Sequence, residues 1–169
     1  MNGKLRVGLD IDGVLAELEQ HFLEHLKLPL HHAESWSDDR FRDNFHKVYD
    51  DYFFWMTIPP IFDPKLLKFV PTIYVTARPI KAEVSKDWLN YHGFPDAPVV
   101  CVGMGGDKSA VLKHKVDVFL DDAYHNYVSL NEAGIHCLLV TRPHNIKHEV
   151  SESRVDSVLH FQEKFDSLL

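Results

Sequence analysis

Short apolar runs rich in β-branched and aromatic residues alternate along the chain with stretches of helical period, and this alternation restricts the fold more than any other feature. Residues 5–11, 73–76, 99–102, 116–121 and 136–141 read as strands. Helical spacing follows over 14–26, 81–91, 108–114 and 124–133, with Pro29, Gly93 and Gly134 as stop signals. Residues 155–159 and a C-terminal helix around 161–168 complete the chain. Strands separated by helices of this length pair in parallel through right-handed crossovers. The expected fold is therefore α/β, a doubly wound (Rossmann-like) parallel sheet with helices on both faces.

Residues 30–63 differ in character. His31, His32, Trp36, Asp38, Asp39 and Arg40 lead into an aromatic stretch from Tyr49 to Trp55 and then to Pro59 and Pro60. This part reads as a small, mostly helical insertion after the first strand. The expected division is a core of residues 1–13 and 64–169 with a helical cap of residues 14–63. A chain of 169 residues is long enough for one such core with an insertion and too short for two full domains.

Composition bounds the function. No stretch approaches the ~20 apolar residues of a membrane span, so no membrane partner is expected. The first residues, Met1 to Arg6, run straight into a strand and leave no room for an export signal. Cys101 and Cys137 sit inside apolar runs and read as buried free thiols of a reducing compartment, which makes cytoplasm the expected location. A formal charge of −7 argues against extended nucleic acid as partner. It leaves room for a small phosphorylated molecule, because a bound cation and a few basic side chains dominate the local field. A homodimer is an open arrangement.

In a doubly wound sheet, ligands bind beyond the carboxyl ends of the strands. The residues that close or follow four of the apolar runs are Asp10 with Asp12, Thr76, Lys108, and Asp121 with Asp122. A carboxylate is ionised at neutral pH, so Asp10 can attack phosphorus without a base, through an aspartyl-phosphate. Asp12, past the strand end, where the turn at Gly13 can swing it toward the leaving oxygen, is placed to protonate a leaving alcohol and later activate water. Several carboxylates around one phosphate repel it unless a hard cation lies between them, which points to Mg²⁺. The expected ligands are Asp10, Asp122 and the backbone carbonyl of Asp12, with Asp121 direct or through water. Thr76 and Lys108 would hold the equatorial oxygens as charge develops there.

Each feature also has an ordinary reading. Asp-x-Asp-Gly occurs as a plain turn, Asp121 and Asp122 could cap the next helix, Thr76 could be a strand residue and Lys108 a solvated lysine. Joint appearance, in order and each after an apolar strand, favours a site. Phe53, Phe54 and Trp55 could stack on a nucleobase, or serve as the insertion's own core. His144 and His148 have helical metal spacing but no completing ligand pattern, and with His31 and His32 they read as surface or structural residues. Lys113, His114 and Lys115 read as a solvated helix end.

These residues resemble the haloacid dehalogenase-like phosphatase superfamily. Leu9-Asp10-Ile11-Asp12-Gly13-Val14 looks like its first motif, Val75-Thr76 its second, Lys108 its third and Leu120-Asp121-Asp122 its fourth. The resemblance implies Asp10 as nucleophile, Asp12 as acid and base, Thr76 and Lys108 as phosphate holders, and Asp122 beside Asp121 at the metal. A closer likeness is to the 5′(3′)-deoxyribonucleotidases, whose cap also follows the first motif and ends in aromatics before a proline-containing turn. The phrase Thr76-Ala77-Arg78-Pro79-Ile80-Lys81 is similar to theirs, except that Arg78 stands where they pass straight to proline, and the turn after Pro59 lacks their glycine. The likeness implies a nucleoside monophosphate as substrate, with Phe53, Phe54, Trp55, Ala77 and Arg78 around it. Rival readings are the same chemistry on a sugar phosphate, nucleic-acid end or other metabolite, a phosphotransferase, and a binding module without turnover.

Overall fold

The computed structural model describes residues 4–169. Met1, Asn2 and Gly3, assigned from sequence to the start of the core, lie outside the described residues. Among the described residues the strands are β1 (Val7–Leu9), β2 (Ile73–Thr76), β3 (Val99–Cys101), β4 (Val118–Asp121), β5 (Cys137–Val140) and β6 (Arg154–Val155). The α-helices are α1 (Leu18–His25), α2 (Asp39–Asn44), α3 (Tyr52–Thr57), α4 (Ala82–His92), α5 (Ser109–Leu112), α6 (Tyr124–Glu132) and α7 (Val158–Phe165). All strand pairs are parallel, in the order β3-β2-β1-β4-β5-β6. The expected α/β doubly wound sheet is thus the one observed.

Alternation along the strands builds the two faces. Ile73, Val75, Phe119 and Cys137 pack with Leu112 of α5 and Leu130 of α6. Tyr74, Val118, Leu120 and Leu138 turn to the opposite face and join Phe22, Trp88 and Phe161. Gly8 stands directly opposite Phe119, and a Cβ there would lie 2.7 Å from its ring, so the central pair β1–β4 needs glycine at this point.

The chain moves outward from β1 through β2 to β3, then returns to place β4 on the other side of β1. The strand order reverses between β1 and β4, where a crevice opens at the carboxyl ends. Register sets Leu9 opposite Leu120, so Asp10 and Asp121 emerge side by side. The amide of Asp10 extends this pairing by donating to the carbonyl of Leu120 at 2.9 Å.

Residues 14–17 do not continue into α1 as their spacing predicts. Val14, Leu15 and Ala16 are buried, but the amide of Glu17 donates to Pro59 O and that of Ile61 to Leu15 O. Tertiary pairing with the returning segment replaces the helical bonds these residues would otherwise make. Further on, α2 and α3 are capped by Asp38 and Asp51, which accept the amides of Arg40 and Phe54 at 2.9 Å. An aromatic cluster fills the insertion: Phe22 stacks on Phe41 at 4.8 Å, Phe45 meets Trp55 at 5.9 Å, and Phe54 meets Trp55 at 5.2 Å. At about 1.5–3 kcal/mol for each ring fully buried, these contacts can hold a small insertion whose helices are too short to stand alone.

The C-terminal helix begins earlier than its sequence suggests, at Val158, because Ser157 accepts the amide of His160 at 3.0 Å and caps it. Residues 155–159 therefore divide between β6 and α7.

Candidate active site

Asp10, Asp121 and Asp122 are buried together, and one oxygen from each lies within 4.8 Å of the others. Lys108, the N-cap residue of α5, reaches in from behind them, its Nζ 3.1 Å from Asp10 Oδ1 and 2.7 Å from Asp121 Oδ2. Asp10 Oδ1 also accepts the Ile11 amide at 2.8 Å. Its Oδ2 has no hydrogen-bond donor among the described residues.

Burial pushes the Asp10 carboxyl well above the usual carboxylate range; Lys108 opposes this, while Asp121, Asp122 and Asp12 add to it. Burial also opposes the charge on Lys108, but Asp10 and Asp121 outweigh it and raise the ammonium above its ordinary value. An all-oxygen set of buried carboxylates with one lysine is short of positive charge, and a hard divalent cation fits that deficit.

Asp121 is fully buried and well supplied with donors: Lys108, the Ala123 amide at 2.9 Å and Asn126 Nδ2 at 3.0 Å. Its contacts suit it to anchor Lys108 more than to lead in metal binding. Asp122 is held differently. Its Oδ2 lies 2.9 Å from His144 Nε2 as an ion pair and accepts from Trp36 Nε1 at 3.2 Å, and its carboxylate rests over Gly13. A Cβ on Gly13 would come within 2.1 Å of that oxygen, and φ is +76°. His144 is pushed up to about 9: burial opposes its charge, but the carboxylates of Asp122 and Glu19 on either side of the ring hold the proton.

Asp12 faces the same cavity, of about 560 Å³, as Asp10, Thr76 and Ala77. Thr76 is buried at the end of β2, its hydroxyl accepting the Arg78 amide at 3.3 Å. Arg78 lines the same cavity and also pairs with Asp12. It grips Asp12 through Nη2 at 2.7 Å and Nε at 2.9 Å, and its guanidinium lies 5.0 Å from the ring of Trp55 and 5.4 Å from that of Trp88. Its Nη1 is buried and has no hydrogen-bond partner among the described residues, so the guanidinium is held by Asp12 and the rings with one donor nitrogen left over.

Phe53, Phe54 and Trp55, expected beside a substrate, sit in three different settings, Trp55 lining a neighbouring cavity with Arg78. Phe53 is 73% exposed, whereas Phe54 and Trp55 are buried in the insertion's own core, and none lines the cavity beside Asp10. The aromatic walls come from Trp36, Phe41, Phe45 and Tyr124 instead. Sequence reasoning also passed over Glu19 and Asn126, and it left His144 among the surface or structural histidines, although it is 6% exposed and touches Asp122. One signal was available for His144: it follows β5, a fifth strand end on the same rim. Lys113, His114 and Lys115 are exposed, as a solvated helix end should be.

A solved hydrolase of the haloacid dehalogenase-like family, SP0104 from Streptococcus pneumoniae, superposes with a TM-score of 0.54 over 83% of this chain and 86% of that one, at 15% identity. The fold is haloacid dehalogenase-like. UTR4 from Saccharomyces cerevisiae superposes over 92% of this chain and 98% of its own, with a TM-score of 0.52 and 14% identity. At such identities the likeness is one of fold. In sequence, a protein of Halalkalibacterium halodurans provisionally named a nucleotidase, BH1399, is 31% identical over 75 residues. That match takes in 43% of this chain and spans 38% of the relative's length. No family profile matches the chain. Among the described residues, no helix is long and apolar enough to cross a membrane.

Proposed function

We propose that this chain is a Mg²⁺-dependent phosphomonoester hydrolase acting on nucleoside monophosphates. The observation that carries the reading is the meeting of Asp10, Asp121, Asp122 and Lys108 at the β1–β4 switch point, inside a haloacid dehalogenase-like fold. The partial likeness to a protein named as a nucleotidase supports the substrate class, and so does a cavity of about 560 Å³ walled by Trp36, Phe41, Phe45 and Tyr124.

Asp10 Oδ2 attacks phosphorus, forming the Oδ2–P bond as the P–O bond to the leaving alcohol breaks. Asp12, oriented by Arg78, gives a proton to the leaving oxygen. Water then attacks phosphorus, Asp12 takes its proton, and cleavage of Oδ2–P returns free Asp10 and inorganic phosphate. Lys108 and the Thr76 end of β2 steady the phosphoryl oxygens. Mg²⁺ would be held by Asp10, Asp122 and the Asp12 carbonyl, with Asp121 behind, and supplies charge neutralisation to the phosphoryl group. Residues 14–63 serve as the cap, which selects the leaving group and excludes water.

The test is phosphate release from an aryl phosphate, a nucleotide panel and sugar phosphates, with and without Mg²⁺. Nucleotide turnover that requires Mg²⁺ and disappears in Asp10→Asn is expected. Near wild-type turnover in Asp10→Asn would remove the mechanism, and activity confined to sugar phosphates would move the substrate class.

A further inference from the structure

His144 and Glu19 belong to none of the sequence motifs, yet both are buried at the edge of the carboxylate cluster. His144 Nε2 lies 2.9 Å from Asp122 Oδ2 and 3.2 Å from the Asp122 carbonyl. On the other side of the ring, Nδ1 is 3.7 Å from Glu19 Oε2. Glu19 comes from α1 in the insertion, and its Oε1 accepts the Ala33 amide at 2.8 Å. Trp36 adds an N–H donor to Asp122 Oδ2, and Asn145 Nδ2 donates to the Asp122 carbonyl at 2.7 Å.

We propose that Glu19 and His144 are positioning residues for Asp122: they pin its Oδ2 so that Oδ1 is presented to the cation, and thereby tie the insertion to metal binding. This rests on reading the cluster as a cation site. A carboxylate free to rotate would offer either oxygen and lose orientation on binding. Here Oδ2 is held by the His144 ring at 2.9 Å and by the Trp36 N–H, and lies against Gly13, while Oδ1 has no donor among the described residues. Burying two further ionisable groups side by side is a weak route to stability, so their place beside a ligand points to control of that ligand. Groups hydrogen-bonded to metal ligands commonly set affinity by roughly 10- to 100-fold.

The experiment is calorimetric titration of Mn²⁺, with Mg²⁺ competition, into the full chain and its variants, with circular dichroism to check folding. His144→Ala is expected to bind Mn²⁺ roughly 10- to 100-fold more weakly, and His144→Gln, which keeps an N–H donor, to recover most of the loss. Wild-type affinity in His144→Ala, or equal loss in both variants, overturns the positioning role. Should His144→Ala fail to fold, Glu19→Gln decides: its side-chain oxygen still accepts the Ala33 amide, and its affinity is expected to fall several-fold. Unchanged affinity there overturns the link to the insertion. Asp122→Asn separates the two readings. If it binds Mn²⁺ like the wild type, the cation site and the positioning role fall together; if it alone loses binding, only the positioning role falls.

Discussion

Arg78 carries its guanidinium into a place with no exposed side-chain surface, with Asp12 on one edge and the Trp55 and Trp88 rings close by. Truncation removes the ring contacts and leaves Asp12 without its partner. Arg78→Ala should destabilise the chain by about 3 kcal/mol in urea denaturation. Arg78→Lys should restore little, because an ammonium has neither the flat faces nor the fork; recovery to within ~0.5 kcal/mol would contradict the geometry. Gly13 supports a second prediction. Gly13→Ala places a methyl group 2.1 Å from Asp122 Oδ2 at φ +76°, and should weaken Mn²⁺ binding at least tenfold by displacing a ligand. Unchanged binding in calorimetry would mean that Asp122 sits elsewhere. Asp10, Asp12, Lys108, Asp121 and Asp122 were legible because each follows an apolar run that can be read as a strand. The hold of Arg78 on Asp12 was not, because a sequence gives the charge of residue 78 and not the carboxylate it meets 66 positions away.

The short helix α2 shows how much of the insertion hangs on single contacts. Asp38 caps it, and the side-chain hydrogen bond from Arg40 holds the Asp38 carboxyl down to about 2. Arg40 also donates to the carbonyls of Pro29 and His31, so this pair ties down the preceding loop. Because the folded value lies below the ordinary one, the stabilisation is present above about pH 4 and is lost as pH falls through about 2. Tryptophan fluorescence should report loosening around Trp36 in that window, and Asp38→Asn should flatten the change; identical acid profiles would contradict the assignment. The cavity wall gives a paired prediction. Trp36→Ala should raise KM for nucleotides about tenfold, the value of one lost aromatic contact, while exposed Phe53→Ala should leave KM unchanged. The reverse pattern would restore Phe53 as a substrate contact. Helical elements here were legible as a group, but the aromatic residues that face the cavity were not. Period and composition mark Phe41, Phe45, Phe54 and Trp55 alike as apolar; only the path of the chain decides which rings fill the insertion and which also reach the cavity.

Over the whole molecule, one topological event assembles the chemistry: the reversal between β1 and β4 sets Asp10 beside Asp121 and brings Lys108 behind both. The parallel α/β architecture was legible from alternating periods. Sheet order was not, since strand spacing does not say on which side of β1 a later strand returns. β6 was touched only by the element read at residues 155–159 and its bounds were missed, because a strand of two residues, Arg154 and Val155, has no period to detect. The fold accounts for convergence, and convergence accounts for the proposed covalent step, in which Asp10 becomes phosphorylated. The direct measurement is rapid acid quench during turnover with Mg²⁺ and a nucleoside monophosphate, followed by peptide mass spectrometry. The phosphoryl group is expected on Asp10 and absent in Asp10→Asn. Sustained turnover with no phosphorylated Asp10, or with the label on another residue, would contradict the account.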